Sequence, residues 1–187
     1  MIKFKISIII TICFLFSASC VIKGTLRGLY SDYKKTKVQS PELLVNVRPN
    51  MPICEIKKTD TAKVYITNGN ELKKCLKKTK KVVIYIWGAA CQADVCYPLN
   101  VFQEQCDLKD TELFVVSEYY YAELMQVNYK IKNPLYGIDT EFYHTNLVSK
   151  YRSRFLYDLT GQKKLESRLY YFEDGILKKT FSDIKKL

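Results

Sequence analysis

Two cysteines, Cys91 and Cys96, stand five residues apart just beyond the apolar run Val82–Trp87. A thiolate is the nucleophile of disulfide exchange and a soft metal ligand, so such a pair points to redox or metal chemistry. The spacing restricts it. On a regular helix, residues i and i+5 have Cα atoms about 8.7 Å apart, beyond the ~7 Å that a disulfide can bridge. Pairing therefore requires residues 91–95 to loop out and the helix to start near Cys96, which Pro98 favours as a residue of a first helical turn. Asp94 opposes thiolate formation by like-charge repulsion. Cys91 is thus either a reactive thiol or an inert one, and Cys96 either its partner or a packed side chain.

The remaining cysteines divide by context. The chain has seven, of which Cys13 and Cys20 fall in or at the end of an N-terminal leader. Cys106 lies on an apolar helical stripe and reads as a small buried hydrophobe. Cys54 and Cys75 either form a structural disulfide, tying the N-terminal segment to the first helix, or stay apart. His144 is the only histidine. Two thiolates and an imidazole would suit copper, yet a surface histidine is the simpler reading, and no metal or cofactor site is assigned. No phosphate loop, Ser-His-Asp set or zinc cluster is present in the sequence.

The elements around these residues follow from periodicity. Val64–Ile66 reads as a short strand, followed by a turn at Asn68-Gly69-Asn70, with Asn70 as N-cap, and a helix burying Leu72, Cys75 and Leu76. Val82–Trp87 is apolar throughout and rich in β-branched and aromatic residues, as expected of a central strand covered on both faces. Gly88-Ala89-Ala90 ends it. Val95, Leu99, Phe102 and Cys106 then recur as one helical stripe. Leu113–Val116 predicts another buried strand and Tyr121–Val127 a helix. Thr145 is placed to cap a helix that buries Leu147, Tyr151, Phe155 and Leu156. Leu169–Phe172 and Ile176–Phe181, joined through Asp174-Gly175, predict a closing hairpin. Residues 20–60, with Pro41, Pro49 and Pro52, read as a tether with an edge strand around Ile53–Ile56.

At Ile86-Trp87-Gly88-Ala89-Ala90-Cys91 the sequence resembles the thioredoxin-like superfamily, which places an apolar strand, a Trp and a small residue before its attacking cysteine at a helix start. Leu169–Gly175 is similar to that family's last hairpin. The resemblance covers about residues 61–187. It implies an α/β three-layer sandwich: a mixed central sheet of about five strands, flanking helices and the C-terminal β-hairpin. It also implies a catalytic role for Cys91, with Cys96 as the nearest resolving thiol. A cysteine at a helix N-terminus would have its pKa lowered by the helix dipole. The sequence departs from the family at Asp94, where the resolving cysteine should stand, and at Ser167, where the family has its cis-proline. Aromatics at Trp87 and Tyr119–Tyr121, near the strand ends, would hold a peptide partner or exported protein thiols; alternating core and surface tyrosines account for them equally well.

The N-terminus sets the expected compartment. Lys3 and Lys5 precede the apolar run Ile6–Phe16, too short to span a bilayer, and Ser17-Ala18-Ser19-Cys20 follows. This order reads as a signal peptide over residues 1–19. Ser-Ala-Ser-Cys resembles the lipobox of bacterial lipoproteins, which implies lipidation of Cys20, a membrane anchor and a place in the cell envelope facing the periplasm. The formal net charge is +11. For an exported, tethered chain this points to solvated faces or anionic headgroups rather than nucleic acid. The function expected is thiol–disulfide oxidoreduction on exported proteins through Cys91; the alternative is a non-catalytic binding or scaffold lipoprotein.

Overall fold

Lys81–Trp87 forms a strand whose residues from Val82 onward are all buried. In the computed structural model, which describes residues 28–47, 52–91 and 93–187, this strand lies inside a seven-stranded mixed sheet. The signal segment 1–19, Cys20 and Pro49 of the expected tether lie outside the described residues. In chain order the elements are α1 (Tyr33–Gln39), β1 (Leu44–Asn46), β2 (Val64–Thr67), α2 (Gly69–Leu76), β3 (Lys81–Trp87), α3 (Leu99–Leu108), β4 (Glu112–Ser117), α4 (Ala122–Met125), β5 (Leu135–Ile138), α5 (Val148–Thr160), β6 (Leu169–Glu173) and β7 (Ile176–Phe181). The strand order is β1-β2-β5-β4-β3-β6-β7. The first five of these are mutually parallel, while β6 and β7 run antiparallel to their neighbours.

Side-chain alternation along β3 divides the core into two layers. Val82, Ile84 and Ile86 pack with Leu72, Cys75 and Leu76 of α2 and Tyr151, Phe155 and Leu156 of α5. Val83, Tyr85 and Trp87 pack with Leu99, Phe102 and Cys106 of α3, Met125 of α4 and Tyr33 of α1. Helices therefore cover both faces of the sheet, the arrangement that near-continuous apolar strands require. The closing hairpin turns at Asp174 (φ 49°) and Gly175 (φ 76°). Two successive positive φ angles make the two-residue turn whose twist matches the flanking strands.

Several expectations are corrected. The sheet has seven strands rather than five because β1 and β5 join it. The expected edge strand at Ile53–Ile56 is instead a 3-10 turn, Ile53–Glu55, and the edge strand is Leu44–Asn46, paired with β2. Residues of the expected tether are part of the folded body: Tyr33 and Leu43 are fully buried. The α2 helix is capped by Asn68, whose side chain accepts from the Glu71 N–H at 3.1 Å, and not by Asn70. The helix expected over Tyr121–Val127 is one turn, Ala122–Met125. Thr145 Oγ1 accepts from the Leu147 N–H at 3.3 Å, one turn ahead of α5, so it shapes the entry and does not cap the helix.

A disulfide joins Cys54 to the buried Cys75 of α2, with Cα atoms 5.5 Å apart and a sequence separation of 21. It ties the 3-10 turn to the α2 face of the core. Closing a loop of this length removes unfolded-state entropy equivalent to about 3 kcal/mol. The double substitution Cys54→Ser with Cys75→Ala is therefore expected to lower the unfolding free energy by about that amount. Urea titration at equilibrium measures it, and an unchanged midpoint would show that the bond constrains nothing.

Candidate functional site

The segment between β3 and α3 is where the sequence put chemistry. Trp87 ends β3 and Gly88 begins a turn, closed by the Cys91 N–H donating to the Gly88 carbonyl at 2.9 Å. A second turn follows, with the Cys96 N–H donating to the Ala93 carbonyl at 2.8 Å. Two turns in succession bring Cys91 and Cys96 together: they are disulfide-bonded, with Cα atoms 5.9 Å apart. Both cysteines are half-buried, at the surface end of the sheet.

Pro98 explains why this stretch loops. It disfavours helical backbone at Tyr97, and its own ψ is 147°, so α3 begins only at Leu99. Val95, expected on the helical stripe, consequently sits in the turn region. Cys91 is eight residues ahead of α3 rather than at its N-terminus. The expected dipole stabilisation of a Cys91 thiolate is absent, because that effect falls off within the first helical turn. Tyr97 pins the far end of the loop. It packs against the α3-side core, and Lys185 Nζ of the C-terminal 3-10 turn lies 5.0 Å from its ring centroid.

Beneath the loop lies a charge cluster that the sequence did not reveal. Glu118, one residue past β4, has a fully buried side chain. Its Oε1 accepts from Arg168 Nη1 at 2.6 Å and its Oε2 from Arg152 Nη1 at 3.1 Å. Arg168 Nη1 also donates to the Ile86 carbonyl at 3.2 Å, and the Glu118 N–H to the Trp87 carbonyl at 3.1 Å. The backbone of Gly88 rests directly on this cluster: a Cβ there would stand 3.2 Å from Glu118 Oε1 and 3.3 Å from Arg168 Nη1. The end of β3 that leads into the cysteine loop is thus held by one charge-assisted hydrogen bond, from Arg168, and one backbone bond, from Glu118. Burial works against the charged form of Arg168, but its position beside Glu118 prevails and raises its pKa further.

The other candidate residues are dispersed. Ser167, at the place of the family's cis-proline, offers its carbonyl to the Tyr170 hydroxyl. Trp87 is almost buried and stacks edge-on with Tyr129, centroids 5.1 Å apart. Tyr119 packs on the opposite side of the sheet, against the α2–α5 layer, stacked on Tyr121. Tyr120 is fully buried, its hydroxyl donating to the Ile138 carbonyl. The four aromatics divide between the layers: Trp87 and Tyr120 belong to the α3-side core, and Tyr119, stacked on Tyr121, packs on the α2–α5 side. His144 is exposed in a turn at φ 51°, far in sequence from either disulfide. Among the described residues, no group of three His, Cys, Asp or Glu is placed to hold a metal ion. Cys106 is the one free cysteine among them, and burial pushes its pKa to about 12.

Comparison with known proteins identifies no family. No protein-family model, no curated protein and no solved structure matches the chain. The site is a half-exposed disulfide on a short loop, seated beside an ion cluster at the C-terminal ends of the central strands.

Proposed function

We propose that this is a membrane-anchored envelope protein of thioredoxin-like fold that exchanges disulfides with exported proteins through Cys91 and Cys96. The observation that carries the reading is the pairing of these two half-exposed cysteines at the end of a central strand. Binding sites of open α/β sheets favour that location. The closing antiparallel hairpin beside β3 supports the fold assignment. The seventh strand count and the delayed α3 distinguish this chain from the pattern the resemblance implies.

In the reduced state the Cys91 thiolate attacks a substrate disulfide. One substrate sulfur leaves as thiolate and the other is held in a mixed disulfide with Cys91. Cys96 thiolate then attacks Cys91 Sγ, the intramolecular bond closes, and the second substrate thiol departs. Two electrons pass from the cysteine pair to the substrate. Run backward, the same steps oxidise a substrate dithiol. The Gly88–Cys91 turn fixed on Glu118 and Arg168 keeps the attacking sulfur at a defined place through both steps.

A second reading, a non-catalytic binding or scaffold lipoprotein, is favoured by one observation: Cys91 lacks a helix N-terminus to stabilise its thiolate. Insulin reduction by the pre-reduced protein decides between them. The wild type is expected to reduce insulin disulfides, Cys91→Ser to do nothing, and Cys96→Ser to accumulate a mixed disulfide. Equal, background rates for all three would leave the scaffold reading in its place.

A further inference from the structure

Gly28–Ser31 lie at one particular end of the sheet. The Gly28 carbonyl accepts from the Tyr119 hydroxyl at 3.1 Å, and Tyr119 follows Glu118, on which the Gly88 turn rests. The Val148 N–H donates to the Leu29 carbonyl at 3.0 Å, Tyr30 forms a β-bridge with Leu147, and the Ser31 N–H donates to the Asn146 carbonyl at 3.2 Å. The Tyr120 N–H donates to the Ser31 carbonyl at 2.8 Å, and Tyr33 packs edge-on against Tyr120. Gly28–Ser31 therefore cross the C-terminal ends of β4 and β5, the same end that carries the Cys91–Cys96 loop. Only seven residues, eight Cα–Cα steps, separate Cys20 from Gly28. Even fully extended they span no more than about 30 Å.

The α1 helix lies beside this entry point. Tyr33 and Thr36 turn into the core, and on the opposite face Lys34, Lys35 and Val38 point outward. Val38 is 81% exposed, and Leu29 and Tyr30 just ahead of the helix are 37% and 48% exposed. Lys37 is paired with Glu141, but Lys34 and Lys35 have no acidic partner among the described residues. The sequence adds Lys23 and Arg27 in the stretch before Gly28. Exposed apolar residues flanked by unpaired lysines match the chemistry of a bilayer interface: apolar side chains for the acyl boundary and ammonium groups for anionic headgroups.

We infer that this face, formed by Leu29, Tyr30, Lys34, Lys35 and Val38, docks on an anionic lipid surface and turns the Cys91–Cys96 end of the sheet toward the membrane. The inference rests on the reading of residues 1–20 as leading to a membrane anchor. Its consequence for function is specific: the disulfide loop works on thiols held close to the bilayer.

Lysine acylation of the full chain, reconstituted with vesicles and read by mass spectrometry, tests it. Vesicles of phosphatidylcholine alone are compared with an equal mixture of phosphatidylcholine and phosphatidylglycerol. Lys77, beside the hairpin turn at Gly175, and the exposed Lys178 of β7 serve as internal references at the opposite end of the sheet. On anionic vesicles Lys34 and Lys35 are expected to react about fivefold more slowly than on neutral ones, as for lysines held near a charged surface, with little change at Lys77 and Lys178. High salt should abolish the difference, and so should Lys34→Glu/Lys35→Glu/Val38→Asp, whose retained fold is checked by circular dichroism. Unchanged reactivity of Lys34 and Lys35, or equal protection of all four lysines, would overturn the docking face. Flotation with neutral vesicles reads the anchor separately. A chain that fails to float with neutral vesicles yet shows protected Lys34 and Lys35 on anionic ones lacks the anchor and keeps the docking face. A chain that floats with neither vesicle refutes both.

Discussion

Glu118→Ala is expected to destabilise the protein by about 3–5 kcal/mol, since it leaves two guanidinium groups facing each other without their shared carboxylate. The Glu118 side chain is fully buried, whereas those of Arg152 and Arg168 are 30% and 32% exposed. Partial access to water lets the arginines recover some solvation, so the lower end of that range is expected. Glu118→Gln keeps the shape and one acceptor but removes the charge that both arginines use, so it should fall between wild type and alanine. Chemical denaturation of the three proteins measures the series. A loss under about 1 kcal/mol for alanine would mean that the cluster behaves like an exposed ion pair. The same substitution should speed amide exchange at Cys91, because the turn that its N–H closes rests on Glu118 through Gly88.

Ile84→Asp should be more damaging still. Ile84 is fully buried in β3, between Phe114 of β4 and Tyr170 of β6 in the register of the sheet. An aspartate there removes the apolar side chain and places an unpaired carboxylate in the core layer. The expected loss exceeds about 4 kcal/mol, from the cavity and the desolvated charge together. Against a typical stability of about 5–15 kcal/mol, this leaves little or no folded protein. Ile84→Val, by contrast, should cost only about 1 kcal/mol. Far-ultraviolet circular dichroism at ambient temperature distinguishes the two; a folded, cooperative Ile84→Asp protein would place Ile84 outside the core.

The parts legible in the sequence were those fixed by local pattern. The β3 run, the stripe Leu99–Phe102–Cys106 and the Asp174-Gly175 hairpin appear where periodicity and turn chemistry put them. What was missed depends on tertiary contact. β5 is four residues long and contains Gly137, which does not advertise a strand; its lack of a side chain is needed because a Cβ would stand 2.6 Å from the Tyr120 hydroxyl. The α1 segment, rich in lysine, gave the same signal as a solvated tether, yet its two inward residues cover strand ends. At the site, the looping of residues 91–95 was accessible from Pro98 and the five-residue spacing. Glu118 was not: a charged residue after an apolar strand looks like the start of a loop. Its partners Arg152 and Arg168 come from 34 and 50 residues away.

On the proposed function, Cys91–Cys96 is an exchanging disulfide and Cys54–Cys75 a structural one. Equilibration of the native protein in glutathione buffers of graded potential, acid quenching and mass-spectrometric mapping of each cysteine pair tests this most directly. Cys91 and Cys96 are expected to pass between disulfide and dithiol across the series and to form a glutathione adduct at Cys91. Cys54–Cys75, with Cys75 buried in α2, should stay oxidised, and the buried Cys106 should remain unmodified while the fold holds. A Cys91–Cys96 bond that remains closed and free of adduct wherever the protein is folded, or that opens only together with Cys54–Cys75 on unfolding, would contradict it.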